Sequence, residues 1–85
     1  MYKPETIGFG IRVQRMKRSW SQSALAAAAG LHFNHISKIE LGMIKVGLDN
    51  FTKIAEAMGM LPSELLSLCE KSETPEFGPR RVSSP

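Results

Sequence analysis

Cysteine is almost absent from this sequence. Its only cysteine, Cys69, has no partner for an internal disulfide, so we expect a reducing compartment, the cytoplasm. The sequence also lacks a signal peptide and any apolar run of about eighteen residues, so neither secretion nor a membrane partner is predicted.

The residue clusters that catalysis and metal binding require are missing too. There is no glycine-rich phosphate loop, no cysteine pair and no cluster of acidic residues. His32 and His35 stand three positions apart, but two histidines without further ligands do not make a zinc site. We therefore predict that the protein is not an enzyme, and that it uses no metal, cofactor or small-molecule ligand.

Charge is unevenly distributed along the 85 residues. Residues 1–53 carry eight Lys/Arg against three Asp/Glu, whereas residues 54–85 carry three against five. A basic front half suits a polyanion, and an acidic rear does not. A chain of this length allows one small domain with a marginal core, and a partner subunit is a common additional source of stability.

The stretch from Ser21 to Gly42 predicts two short helices joined by a turn. Ser21 has the side-chain oxygen of a helix N-cap, and the alanine-rich run that follows favours a helix. Gly30 stands where helices commonly end in a left-handed residue, and Gly42 ends the second helix. Two short helices with a glycine-containing turn are the sequence form of a helix-turn-helix.

The same pattern also fits an ordinary helical hairpin in a bundle. In the second helix, expected at about 33–41, Ile36 and Ile39 lie inward, whereas Asn34 and Lys38 lie outward. Asn34 has an amide suited to a base edge, and Lys38 can reach a guanine or a phosphate. Glu/Lys pairs at four-residue spacing, typical of a solvated helix, are absent there. The outer face therefore favours DNA binding.

Apolar periodicity and helix-ending residues predict three more helices, at about 5–18, 48–58 and 62–70. The predicted fold is an all-α, compact five-helix domain over residues 1–71. The fourth helix is expected to bury Leu48, Phe51, Ile54, Ala55 and Met58. Residues 72–85 form a polar tail with too few bulky apolar residues to pack.

Short motifs in a fixed order extend beyond the two central helices. The matching pieces are Ile11–Arg12, Arg15, Ser21–Gln22, Leu25–Ala26, Gly30, ISKIE at 36–40, Gly42, Leu48, KIAEAMG at 53–59 and PSELL at 62–66. On these pieces the sequence resembles the Cro/C1-type (XRE) helix-turn-helix family, with the lambda-repressor-like fold. The segment IELGMIKVGLDNF at 39–51 and the small size most resemble restriction–modification controller proteins and small phage-type repressors.

The resemblance implies contacts to the bases of double-stranded DNA. Family positions that commonly touch bases correspond here to Phe33, Asn34, Ser37 and Lys38. Phe33 departs from the usual polar residue. It either presses on a thymine methyl group or packs on the first helix or a partner, and both interpretations stay open.

Phosphate contacts are expected around the start of the second helix. Gln22 lies at a helix N-terminus, whose free N–H groups and dipole favour an anion, and family members use the matching glutamine on the DNA backbone. Lys45 occupies a loop position that family members often place on a phosphate. We assign Arg12 and Arg18 of the basic first helix to phosphates as well.

A first-helix arginine at the position of Arg15 pairs, in the family, with a glutamate at the position of Glu40. The resemblance thus implies a partly buried ion pair that holds the first and third helices together. Two unrelated surface charges would contribute almost nothing.

Leu61, Leu65, Leu66 and Leu68 exceed what one inward stripe on the fifth helix requires. We therefore predict a homodimer through this helix, with two recognition helices in successive major grooves of a pseudo-palindromic operator. A single wide core in a monomer is the simpler alternative.

The function predicted is a sequence-specific transcriptional regulator. An antitoxin-like adaptor, with a tail that binds a partner protein, is the alternative function.

Overall fold

The computed structural model describes residues 3–72 of the chain. This range contains five α-helices and no strand: α1 (Pro4–Lys17), α2 (Gln22–Ala29), α3 (Phe33–Glu40), α4 (Leu48–Ala57) and α5 (Pro62–Lys71). The predicted five-helix, all-α fold is confirmed, and the helix limits differ from the expected ones by about one residue. The predicted tail, apart from Ser72, lies outside the described residues, and so does the segment on which the adaptor alternative depends.

The turn between α2 and α3 is built by local hydrogen bonds and one glycine. Ser21 Oγ accepts the N–H of Ala24 at 3.0 Å and caps α2. Gly30 ends α2 with φ of 71°, a left-handed conformation in which a Cβ would be strained. His32 then caps α3, because its Nδ1 accepts the N–H of Asn34 at 3.2 Å. The chain thus turns within three residues and presents α3 across α2.

The core lies between all five helices, and α1 packs against both α3 and α5. Its largest fully buried side chains are Ile11, Leu25, Ile36, Ile39, Ile54, Leu65 and Cys69. Gly8 and Gly10 face this packing directly. A Cβ on Gly8 would collide with the main-chain oxygens of Ile39 and Glu40 at the end of α3. The two glycines weaken α1 as a helix but let its neighbours approach closely.

Leu48 does not lie where the sequence pattern put it. It is the first residue of α4, and its side chain is 75% exposed, so the expectation that it is buried is wrong. The other four residues expected inside α4, Phe51, Ile54, Ala55 and Met58, are buried. Apolar spacing predicts a face, but the first helical residue lies at the edge of the packed surface.

Across residues 3–72, no helix reaches the length and apolarity that a membrane crossing needs.

Candidate DNA interface

Helix α3 presents one polar face to solvent. Ile36 and Ile39 are buried in the core, whereas Asn34 and Lys38 are exposed one turn apart. Phe33 is also exposed and Ser37 is half-buried, at the same four-residue spacing. The structure therefore brings the four residues that the resemblance assigned to bases onto one side of α3.

The two histidines of this region have structural contacts. His32 caps α3, and His35 is half-buried with its Nε2 3.1 Å from Nδ2 of Asn50 in α4. His35 thus connects the flank of α3 to α4. Nowhere in residues 3–72 do three potential metal ligands come together.

Arg15 and Glu40 form a two-pronged ion pair between α1 and the end of α3. Arg15 Nε donates to Glu40 Oε2 at 2.7 Å, and Arg15 Nη2 donates to Glu40 Oε1 at 3.0 Å. The side chains are only 12% and 2% exposed, respectively, so both charges are largely removed from water. Arg15 Nη1 also donates to the main-chain oxygen of Trp20 at 2.7 Å, which holds the loop before α2.

Gln22 joins the same group of side chains. Its Nε2 donates to Glu40 Oε1 at 3.0 Å, so the first residue of α2 is bonded to the last residue of α3. The sequence predicted Gln22 as a phosphate contact and did not predict this bond. One feature of the sequence could have indicated this bond. A carboxylate at Glu40 that pairs with Arg15 has more acceptor sites than one arginine fills, so a further donor was to be expected.

The basic residues assigned to phosphates divide into two groups. Arg12 and Lys45 are exposed and have no hydrogen-bond or ion-pair partner within residues 3–72. Arg18 is turned inward instead: it donates to the main-chain oxygen of Gln14 at 2.8 Å and to that of Met58 at 3.1 Å. These bonds join the end of α1 to the end of α4, and the assignment of Arg18 to a phosphate stays a prediction.

The leucines in and just before α5 differ in how far they are buried. Leu65 is fully buried in the monomer core, so the prediction that it lines a dimer interface is wrong. Leu66 and Leu68 are half-buried, and Leu61 is 63% exposed. Met60 and Leu68 line a shallow depression on the outer side of α5. An apolar groove of about 300 Å³ opens beside Leu48 and Leu66, where α1, the loop before α4, and α5 meet.

The chain shares this architecture with known regulators. A family model described as helix-turn-helix matches residues 11–66. Control protein C.BamHI of Bacillus amyloliquefaciens is 43% identical over 61 residues, spanning 68% of this chain and 75% of that protein. The structure of the restriction-modification controller protein C.AhdI from Aeromonas hydrophila is 32% identical, with a TM-score of 0.71, covering 73% of this chain and 94% of that one.

A more distant structure agrees in fold alone. The clp gene regulator ClgR from Corynebacterium glutamicum is 18% identical, with a TM-score of 0.80, covering 98% of this chain and 88% of that one. The residues matched by the family model contain α2, α3 and both partners of the Arg15–Glu40 ion pair. This chain therefore belongs to the helix-turn-helix family of DNA-binding regulators, in its Cro/C1 (XRE) type.

Proposed function

We propose that this protein is a homodimeric, sequence-specific transcriptional regulator that binds a pseudo-palindromic operator and controls a restriction–modification system. The observation that carries this proposal is the exposed face of α3, on which Asn34 and Lys38 lie one turn apart with no side-chain partner in residues 3–72. Exposed donors and acceptors that no protein group engages, held on a rigid helix, are suited to base edges in a major groove.

Base contacts are assigned to Phe33, Asn34, Ser37 and Lys38. Phosphate contacts are assigned to Gln22 at the start of α2, and to Arg12 and Lys45, whose guanidinium and ammonium groups are exposed and have no partner among residues 3–72. Phosphate contacts fix the register of the protein on DNA, and base contacts determine the sequence. The protein is placed in the cytoplasm, where chromosomal or plasmid DNA is accessible to it.

Selection of bound sequences from a random DNA pool tests the base assignment. Wild-type protein should return two related half-sites about 10 base pairs apart, one helical turn. Asn34→Ala and Lys38→Ala should each weaken binding by about 1–3 kcal/mol and relax one base position per half-site. Lys71→Ala removes an equal charge from the end of α5 and is the control, for which affinity and selected sequence should not change. Unaltered selectivity in both α3 variants would disprove the assignment.

The dimer is placed on the outer side of α5. Leu61, the residue before α5, is largely exposed, and Met60 and Leu68 line a depression beside the helix. Burying an exposed leucine is worth about 1.5–3 kcal/mol, and two-fold symmetry counts each contact twice. This surface belongs to the acidic second part of the chain, so a dimer joined there does not use the basic residues 1–53 that contain α3.

Sedimentation equilibrium of charged variants tests the interface. Leu61→Glu and Leu68→Glu should shift the wild-type dimer to monomer while the far-ultraviolet spectrum stays helical. Leu41→Glu places the same charge on another exposed leucine, at the end of α3, and should leave the dimer intact. A wild-type protein that stays monomeric at high concentration would contradict the homodimer.

The link to restriction–modification rests on the relatives C.BamHI, a control protein, and C.AhdI, a restriction-modification controller protein. A regulator of this kind should bind DNA upstream of a methyltransferase or endonuclease gene. Sequencing the genomic fragments that the protein retains from its own host tests this directly. Retention of fragments next to neither gene type would remove this part of the proposal and leave the DNA-binding part standing.

A further inference from the structure

Glu40 receives hydrogen bonds from two different helices. Its Oε2 accepts from Arg15 Nε at 2.7 Å, and its Oε1 accepts from Arg15 Nη2 and from Gln22 Nε2, each at 3.0 Å. The bonds to Arg15 alone would neutralise the carboxylate and join α1 to α3. The additional bond to Gln22 does something else: it fixes a side chain assigned to the DNA surface.

This bond determines which way the Gln22 amide faces. An ionised carboxylate only accepts hydrogen bonds, so the amide group that faces Glu40 must be the NH2, and the amide oxygen faces away. The NH2 has two hydrogens, and the bond to Glu40 uses one. The second N–H is the only donor that the Gln22 side chain keeps for a DNA phosphate, which also only accepts.

The surroundings favour an anion at this second N–H. Gln22, Glu40 and Arg15 line one surface depression together with Arg12 and Leu41. Two arginines and one glutamate leave one positive charge in excess there, and the guanidinium of Arg12 is exposed. A phosphate oxygen in the depression would meet the exposed guanidinium of Arg12 and the remaining amide hydrogen of Gln22.

We propose that Glu40 is a positioning residue for DNA binding, which holds the Gln22 amide with its second N–H directed at a phosphate. The inference rests on the proposed function, since it needs the Gln22–phosphate contact. Without an acceptor at position 40, the terminal amide rotates freely, and many of its orientations present the oxygen to the phosphate. Two acceptors facing each other repel, so the contact is weakened although Gln22 itself is unchanged.

Glu40→Gln alone is a poor test, because it leaves Arg15 buried without a counter-charge. Two double variants remove the ion pair from both sides instead. Arg15→Met with Glu40→Gln keeps an amide oxygen that can accept from Gln22, whereas Arg15→Met with Glu40→Met offers no acceptor. The two proteins differ only in whether position 40 carries a polar amide or an apolar thioether, so a difference at the Gln22 phosphate belongs to that amide.

The readout is the affinity for the selected operator carrying a neutral methylphosphonate at one phosphate at a time. The Gln22 phosphate is the one whose neutralisation weakens wild-type protein about tenfold more than it weakens Gln22→Ala, because only the wild type loses a charge-assisted hydrogen bond from Gln22. The Glu40→Gln double variant should keep the wild-type sensitivity at that phosphate, whereas the Glu40→Met double variant should show only the smaller sensitivity of Gln22→Ala. Both double variants should stay sensitive to neutralisation of the other phosphates. A general loss of structure would instead reduce the sensitivity at every phosphate.

Equal sensitivity of the two double variants would overturn the positioning role. Should either fail to fold in thermal unfolding, the wild-type protein gives the answer by NMR. One Gln22 Nε2 hydrogen should then exchange with solvent more slowly than the other, and equal rates for the two would overturn the role. If random-pool selection returns no operator, the proposed function fails, but the exchange measurement still tests the Gln22–Glu40 bond on its own.

Discussion

Gly10 of α1 and Cys69 of α5 are in direct contact: a Cβ on Gly10 would lie 2.6 Å from the Cα of Cys69. Cys69 Sγ also donates to the main-chain oxygen of Ile7 at 3.6 Å, one turn earlier on α1. The backbones of α1 and α5 therefore touch at a point where only glycine leaves room. The last helix of the domain is fixed to the first one by this contact.

Gly10→Ala should destabilise the protein, although alanine is the better helix former. The helical preference for alanine is worth about 1 kcal/mol, and forcing an extra carbon into packed backbone typically costs about 1–3 kcal/mol. We expect a net loss in the free energy of unfolding, measured by urea denaturation. Gly47→Ala is the control, because Gly47 has an ordinary φ of −72° and no atom within 4 Å of a new Cβ. A Gly10→Ala protein as stable as wild type would contradict the contact.

Cys69 makes the stability depend on pH in alkaline solution. Burial, and secondarily the Glu70 carboxylate, raises the pKa of its thiol from 9.0 to about 11. Between these values the unfolded chain releases the thiol proton, whereas the folded chain retains it. The free energy of unfolding should therefore fall as the pH rises through this window. Urea denaturation of wild type and Cys69→Ala between pH 8 and about 10.5 isolates the effect, since the other groups titrate in both. Parallel pH profiles would refute it.

Substitutions of Arg15 and Glu40 should have strongly non-additive effects on the free energy of unfolding. Arg15→Met or Glu40→Gln alone leaves one nearly buried charge uncompensated, which typically costs about 3–5 kcal/mol. Replacing both residues removes the uncompensated charge, so the double variant should be more stable than the sum of the single effects indicates. Thermal unfolding of the two single variants and the double variant measures this coupling. Additive effects would show that the two charges act independently.

Sequence reasoning found what depends on local signals. The Ser21 cap, the left-handed Gly30 and the inward Ile36 and Ile39 each follow from a residue and its near neighbours, so the helix-turn-helix was predictable. The pairing of Arg15 with Glu40, 25 positions apart, came from the family resemblance and not from spacing.

Contacts between distant segments were not predictable in this way. The glycines of α1 indicate a weak helix when taken alone, and only the position of Cys69 on α5 explains Gly10. Arg18 has the positive charge expected of a phosphate contact. In the fold, however, it donates a hydrogen bond to the main-chain oxygen of Met58, 40 positions later. Leu61 and Leu65 stand four positions apart, a spacing that would put both on one side of a helix, yet Leu61 is the extended residue before α5 and is exposed, whereas Leu65 lies inside α5 and is buried.

Arg12 and Arg18 give the sharpest comparison for DNA binding, because both are arginines on or next to α1 with different surroundings. Arg12 is exposed and unpaired within residues 3–72, so Arg12→Gln should lower the slope of log affinity against log salt by about 1 and leave stability unchanged. Arg18→Gln should leave the slope unchanged and lower the free energy of unfolding by about 1–2 kcal/mol, since it loses the bond to the Met58 main-chain oxygen. Fluorescence anisotropy over a salt series and urea denaturation measure both quantities. An Arg18→Gln protein with a reduced salt slope and unchanged stability would return Arg18 to the DNA surface.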